Sequence, residues 1–191
     1  MDMNGERLII ASRTDVWAAL NDIEILRACI PGCEKIESVS PTQMNASAAL
    51  RVGPITAKLQ GSVTLSDILP PVGYKLSFSG QGAAGFAKGS ATVELVEQGE
   101  ATLLRYTAAT QIGGKLAQLG GRLIDSTAKA MTEQFFKKFA TTIEMPALAN
   151  EIESVNNGEQ ERDLRTVEDN SRGSTWFTAF WLWLKRVLSN Q

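Results

Sequence analysis

Between Glu34 and Ile112 the chain never runs far without a turn signal. Ser40-Pro41, Gly53-Pro54, Pro70-Pro71-Val72-Gly73 and Gln98-Gly99-Glu100 divide this stretch into β-leaning runs. Six candidate strands result, and several alternate: Thr92, Glu94 and Val96 point one way, Val93, Leu95 and Glu97 the other. Neighbouring strands joined by such short turns pair antiparallel. The strands are followed by one long helical period over about 115–144, in which Leu116, Leu119, Leu123, Met131, Phe135 and Phe139 recur at three- to four-residue steps. A sheet built this way has one apolar face to cover, and this helix is the element long enough to cover it.

The segment before the strands fits the same plan. The apolar "ERLIIAS" (6–12) reads as a first strand. "SRTDVWAALNDIEILRACI" reads as two short helices interrupted at Asn21-Asp22, with Ser12 or Thr14 as first cap. The predicted fold class is α+β: a curved seven-stranded antiparallel sheet wrapped on a long C-terminal helix. The helix is expected to end at "EMP", because the residue before a proline avoids helical backbone. Gly120-Gly121 allow two readings. Either the helix begins after them, or they thin one wall of a cavity between helix and sheet.

Charge divides the chain further. Residues 1–145 hold 14 Lys and Arg against 14 acids, whereas 146–175 hold three arginines and seven acids. The first segment is read as the folded domain and the second as an acidic flexible linker, which would span roughly 30 Å. Residues 176–191 form a basic-aromatic tail containing three of the four tryptophans. Wound as a helix, Trp176, Phe177, Phe180, Trp181, Trp183, Leu184, Val187 and Leu188 share one face, with Lys185 and Arg186 on the other side. Such a helix is about 20 Å long, short of a bilayer core of about 30 Å. An amphipathic helix lying in a membrane interface fits it best, with tryptophan at headgroup level and the basic pair on anionic lipid. Docking in a partner's groove, or on its own domain, are the other readings.

Several chemistries are disfavoured. The sequence contains no histidine, so a Ser-His-Asp or Cys-His nucleophile system has no base. Cys29 and Cys33 in "CIPGC" are poorly spaced for zinc and read as reduced thiols in a tight turn. A net charge of −2 offers no large basic surface for nucleic acid. "GQGAAG" (80–85) matches a dinucleotide-binding pattern literally, but strand rather than helix follows, so a hairpin loop is expected. "MDMNGERLII" lacks the pattern of a secretory signal, so the expected location is cytoplasmic, peripheral on the inner face of the cytoplasmic membrane.

"IPGCEKIESV", "VGPITAKLQGSVTLSDILPP" and "LSFSGQGAAGFAKGSATVELVEQGEATLLRYTAATQIGGKLAQLGGRLI", with a late "FF", resemble the carbon monoxide dehydrogenase G-subunit family of the START/Bet v 1-like superfamily. The resemblance spans about residues 1–145. It implies a helix-grip fold and a non-catalytic accessory role beside a molybdenum hydroxylase of the carbon monoxide dehydrogenase type. It also implies recruitment of that enzyme to the membrane, and a grip cavity for a lipophilic ligand, with a respiratory quinone as the candidate. No catalytic residue, metal or other cofactor follows from it. Candidate cavity residues are Trp17, Phe78, Phe86, Tyr106, Leu116, Leu119, Gly120, Leu123, Phe135 and Phe139. Two alternatives stay open: a membrane tether without ligand, and a cyclase- or hydrolase-type enzyme using Tyr106, Arg105 or Asp125.

Overall fold

The computed structural model describes the backbone of residues 1–160 and the side chains of residues 1–144. The chain divides into units at Met1–Glu151 and Ile152–Gln191, and the first holds the whole sheet and both short helices. The expected tail, with all its candidate membrane-binding residues from Trp176 to Leu188, lies outside the described residues.

The order is β1 (Asp2–Ile9), α1 (Arg13–Leu20), α2 (Ile23–Cys29), β2 (Cys33–Ser40), β3 (Gln43–Val52), β4 (Ile55–Leu69), β5 (Gly73–Gly82), β6 (Gly85–Gln98), β7 (Ala101–Gly113), a 3-10 turn at Ala117–Leu119, and α3 (Gly121–Gln160). The helix break at Asn21-Asp22 has a physical cause. Ser12 caps α1 by accepting from the Asp15 amide, and Asp22 caps α2 by accepting from the amides of Glu24 and Ile25. All seven strands form one antiparallel sheet in the order β1-β7-β6-β5-β4-β3-β2. The sheet is therefore a meander from β2 to β7, with β1 returning to pair with β7.

Register fixes the faces. Leu76 and Phe78 on β5, Ala91 and Val93 on β6, and Tyr106 and Ala108 on β7 share the side that meets α3. Curvature depends on glycine where strands cross closely: a Cβ on Gly61 of β4 would run into the Ser79 carbonyl oxygen of β5. Buried and half-buried residues of α3 recur at four-residue steps, Leu123, Thr127, Met131, Phe135, Phe139 and Ile143, a stripe that winds slowly round the helix.

Two helix boundaries differ from the helical period read over 115–144, the first in the way expected by the reading that starts the helix after Gly120-Gly121. α3 starts at Gly121, after a 3-10 turn closed by Gly120 at φ 87. It then continues past Pro146 to Gln160, so the first half of the expected linker has helical backbone. Tertiary anchoring just before the proline explains the second difference. Phe139 and Ile143 are buried, and the Glu144 carboxylate accepts from the Ile10 amide at 3.1 Å. These contacts outweigh the local penalty that proline imposes on one turn.

Candidate functional site

The buried apolar residues form two separate clusters. The larger joins Trp17, Leu20, Tyr74, Leu95, Leu104 and Phe139, under α1 and the second half of the described α3. The smaller joins Val52, Ala57 and Leu116, with Leu59, Ile112 and Leu119 packed on it, at the other end of the sheet. Between them the concave face is floored by small residues. Ala46, Gly61, Gly80 and Ala87 form one continuous cross-strand row, and Ala91 pairs with Ala108 in a second. None of these six belongs to either cluster. Packed interiors leave few voids larger than a water molecule. Small side chains between two filled ends leave the inner face recessed there, and this recess is the candidate groove.

The walls are held by named contacts. Tyr106 stacks on Phe136 at 5.3 Å between centroids, and Phe135 stacks on Phe139 at 5.5 Å. Arg7 of β1 forms an ion pair with Glu133 of α3 and lies 5.6 Å from the centre of the Phe136 ring. On the β3 side, a crevice of about 470 Å³ opens between the Pro31-Gly32 turn, Leu50 and Arg51 of β3, and Thr127, Met131 and Gln134 of α3. Two further depressions, about 700 and 620 Å³, lie largely on the outer face and are lined mainly by serine, threonine, lysine and glutamine.

The sequence-derived candidates fall in different places. Trp17 is buried at the α1 end, edge-on to Tyr74 at 5.7 Å. Phe78 lies on the concave face beside Gly89, where an added Cβ would be 3.0 Å from its ring. Tyr106, Phe135 and Phe139 belong to the wall just described. Leu116 and Leu119 fill the smaller cluster, and Leu123 covers Gly53.

Two candidates are corrected. Phe86 shares the outer face with Lys88, Ser90 and Thr92, is 42% exposed, and lies against Gly113 and near the Lys88 ammonium. Its parity on β6 is opposite to that of Ala91 and Val93. Gly120 is exposed rather than part of a packed wall; its role is the positive-φ turn that precedes α3.

The groove contains no catalytic constellation among the described residues. Arg105 projects outward, 3.5 Å from Glu6, and Asp125 is exposed. No three His, Cys, Asp or Glu side chains gather as a metal site among the described residues. Both cysteines are free thiols, Cys29 buried and Cys33 partly so, with burial raising the Cys33 pKa. "GQGAAG" forms the β5–β6 hairpin, as expected. Among the described residues no helix is long and apolar enough to cross a membrane.

Sequence reasoning missed two aromatic residues of the inner face, Phe136 and Tyr74. Tyr74 is 7% exposed, and burial alone pushes its phenol pKa up to about 12. Its position two residues before Leu76 and four before Phe78 was the available signal.

A seven-stranded antiparallel sheet gripping a long C-terminal helix, with two short helices after the first strand, places this chain in the START/Bet v 1-like class. Solved structures agree. A START superfamily protein from Mycobacterium smegmatis superposes with a TM-score of 0.58 at 12% identity, over 75% of this chain and 97% of that one. The Zhui aromatase/cyclase from Streptomyces sp. R1128 gives 0.55 at 11%, over 75% and 93%. At these identities the likeness is one of fold. A conserved protein from Geobacillus kaustophilus is more similar, at 31% identity and a TM-score of 0.73, over 76% of this chain and 96% of that one. Residues 5–144 match the family model of the carbon monoxide dehydrogenase G subunit, CoxG, and the chain belongs to that family. No curated protein matches the sequence.

Proposed function

We propose that this protein is a non-catalytic, membrane-associated accessory of a carbon monoxide dehydrogenase-type molybdenum hydroxylase. It holds a lipophilic ligand, a respiratory quinone, between its sheet and α3. The observation that carries the reading is the small-residue floor between two packed clusters. A folded chain gives up apolar burial there, at about 25 cal/mol per Å², unless something else covers the surface. A quinone's ring and isoprenoid chain would supply that cover. The family membership supports the dehydrogenase as partner, and the aromatic tail at 176–191 supports attachment to the cytoplasmic face of the membrane.

The test is expression of the full chain in a quinone-producing bacterium, followed by native mass spectrometry and organic extraction. The expected result is one quinone per protein, lost on extraction. Protein that emerges without any bound lipophile, and takes none up from quinone-loaded vesicles, would overturn the carrier reading and leave a tether.

A further inference from the structure

The folded domain is neutral in total, but its charges are polarised. The β3–β4 hairpin (41–66), the β5–β6 hairpin (76–93) and the passage from β7 into α3 (106–124) all turn at one end of the sheet. These three segments carry Arg51, Lys58, Lys88, Lys115 and Arg122 and not one Asp or Glu. The opposite end holds the β4–β5 and β6–β7 turns, with Asp67, Glu94, Glu97 and Glu100. There Lys75 is matched by Asp67 at 2.8 Å.

Packing gathers the basic residues round the smaller apolar cluster. Leu116 packs with Val52, its amide donates to the Ala84 carbonyl at 3.0 Å, and Leu123 covers Gly53. Lys115, Arg122 and Arg51 are the chain neighbours of Leu116, Leu123 and Val52, and all three are exposed. Lys58 is paired with Glu34 at 3.4 Å, whereas Arg51, Lys115 and Arg122 take part in no ion pair among the described residues. Asp125, exposed in α3, offsets one of them. The α3 N-terminus lies at this end too, and its dipole adds to the positive sign. The crevice of about 470 Å³ opens beside these cations, lined by Arg51 with Leu50, Ser126, Met131 and Gln134.

We infer that this end of the domain, through Arg51, Lys115 and Arg122, is a docking face for an anionic lipid surface, and that it seats the crevice beside Arg51 against the headgroups. Each Lys or Arg close to an anionic leaflet strengthens attraction by about fivefold, while the acidic end is repelled, so a neutral body acquires one preferred orientation. Three cations alone hold a vesicle weakly; the face turns a body that the tail has already brought to the surface. The cations stand on separate segments round the crevice, and a continuous layer of headgroups can meet them all. The docking face does not depend on a ligand. The use of the crevice as the way in rests on the lipophile site proposed above, since a lipophile is stored in that same layer.

The test uses the full chain and two vesicle probes, phosphatidylcholine alone and phosphatidylcholine mixed with phosphatidylglycerol. Arg51→Gln, Lys115→Gln and Arg122→Gln together should weaken binding to the anionic vesicles by about 10- to 100-fold and leave the neutral ones within about twofold. Lys75→Gln, Arg105→Gln and Lys137→Gln together remove the same charge elsewhere and should leave both within about threefold. Circular dichroism checks that both variants are folded. In a Cys33→Ser background, a nitroxide at Gln118→Cys, between Lys115 and Arg122, should become shielded from a water-soluble relaxation agent on anionic vesicles. One at Glu100→Cys, at the opposite end, should not. Equal loss in the two triple variants, no loss in either, or equal shielding at both labels would overturn the docking face. Unchanged vesicle binding by the first variant, with lost binding to the purified dehydrogenase, would replace the lipid by a protein partner. Ala130→Trp, in the crevice wall, should slow quinone transfer from loaded vesicles without changing vesicle binding; unslowed transfer would overturn the role of the crevice. Wild type that docks in this orientation and takes up no quinone would sink the groove reading and leave the docking face standing.

Discussion

Leu123, in the first turn of α3, closes over Gly53 at the β3–β4 turn, where an added Cβ would lie 2.8 Å from Leu123 Cδ2. Towards its other described end, α3 buries Phe139 completely in the larger core cluster. The helix is thus fixed to the sheet at two places, and the groove is the part between them.

Gly53 also has φ 56, a conformation that L-residues rarely adopt. Gly53→Ala should therefore cost about 1–3 kcal/mol, from backbone strain and displacement of Leu123. Chemical denaturation measures it. An unchanged midpoint would mean that the helix start is not held there.

A large-to-small change in the core and a small-to-large change in the groove should behave oppositely. Phe139→Ala removes a fully buried ring and should cost about 3–5 kcal/mol. Ala91→Leu adds volume over the groove floor. In a packed core that addition would cost about 1–3 kcal/mol; here stability should hold or rise while lipophile uptake is lost. A destabilised Ala91→Leu variant would show that the space is already filled.

Tyr74 gives the protein an alkaline limit. Its phenol titrates near 10 in the unfolded chain and at about 12 when folded. Between those values the folded state binds more protons than the unfolded one, so stability falls as pH rises. Its contribution is complete below pH ~10 and is lost by pH ~12, a change of about 2–3 kcal/mol. Urea denaturation at pH 9, 10 and 11 should show the decline. It should be shallower in Tyr74→Phe, and parallel curves would place the limit elsewhere.

Deletion of residues 176–191 should abolish co-sedimentation with anionic vesicles while circular dichroism of the remaining chain is unchanged. Full-length binding should weaken as salt screens Lys185 and Arg186. Undiminished vesicle binding by the truncated protein would sink the membrane role of the tail.

Much of this architecture is legible one residue at a time. Local rules place the caps at Ser12 and Asp22, the hairpin within "GQGAAG" and the seven strands, because each depends on neighbours within a few positions. The outward position of Phe86 was legible too. Strand alternation puts it on the face of Thr92 and Glu94, and the same alternation sets Tyr74 beside Leu76 and Phe78. The sequence by itself thus determined the order of elements, which residues share a strand face, and the family.

Tertiary structure alone decided three things. It carried α3 through Pro146, since Phe139, Ile143 and Glu144 just before the proline are held by residues far away in the chain, Ile10 among them. It separated the apolar residues into two clusters with small residues between them, because Ala46, Gly61, Gly80 and Ala87 become one row only when four strands align. It also buried Tyr74 against Trp17, a residue of a different element. Burial and pairing are properties of what surrounds a residue, and contacts between distant parts of the chain supply those surroundings.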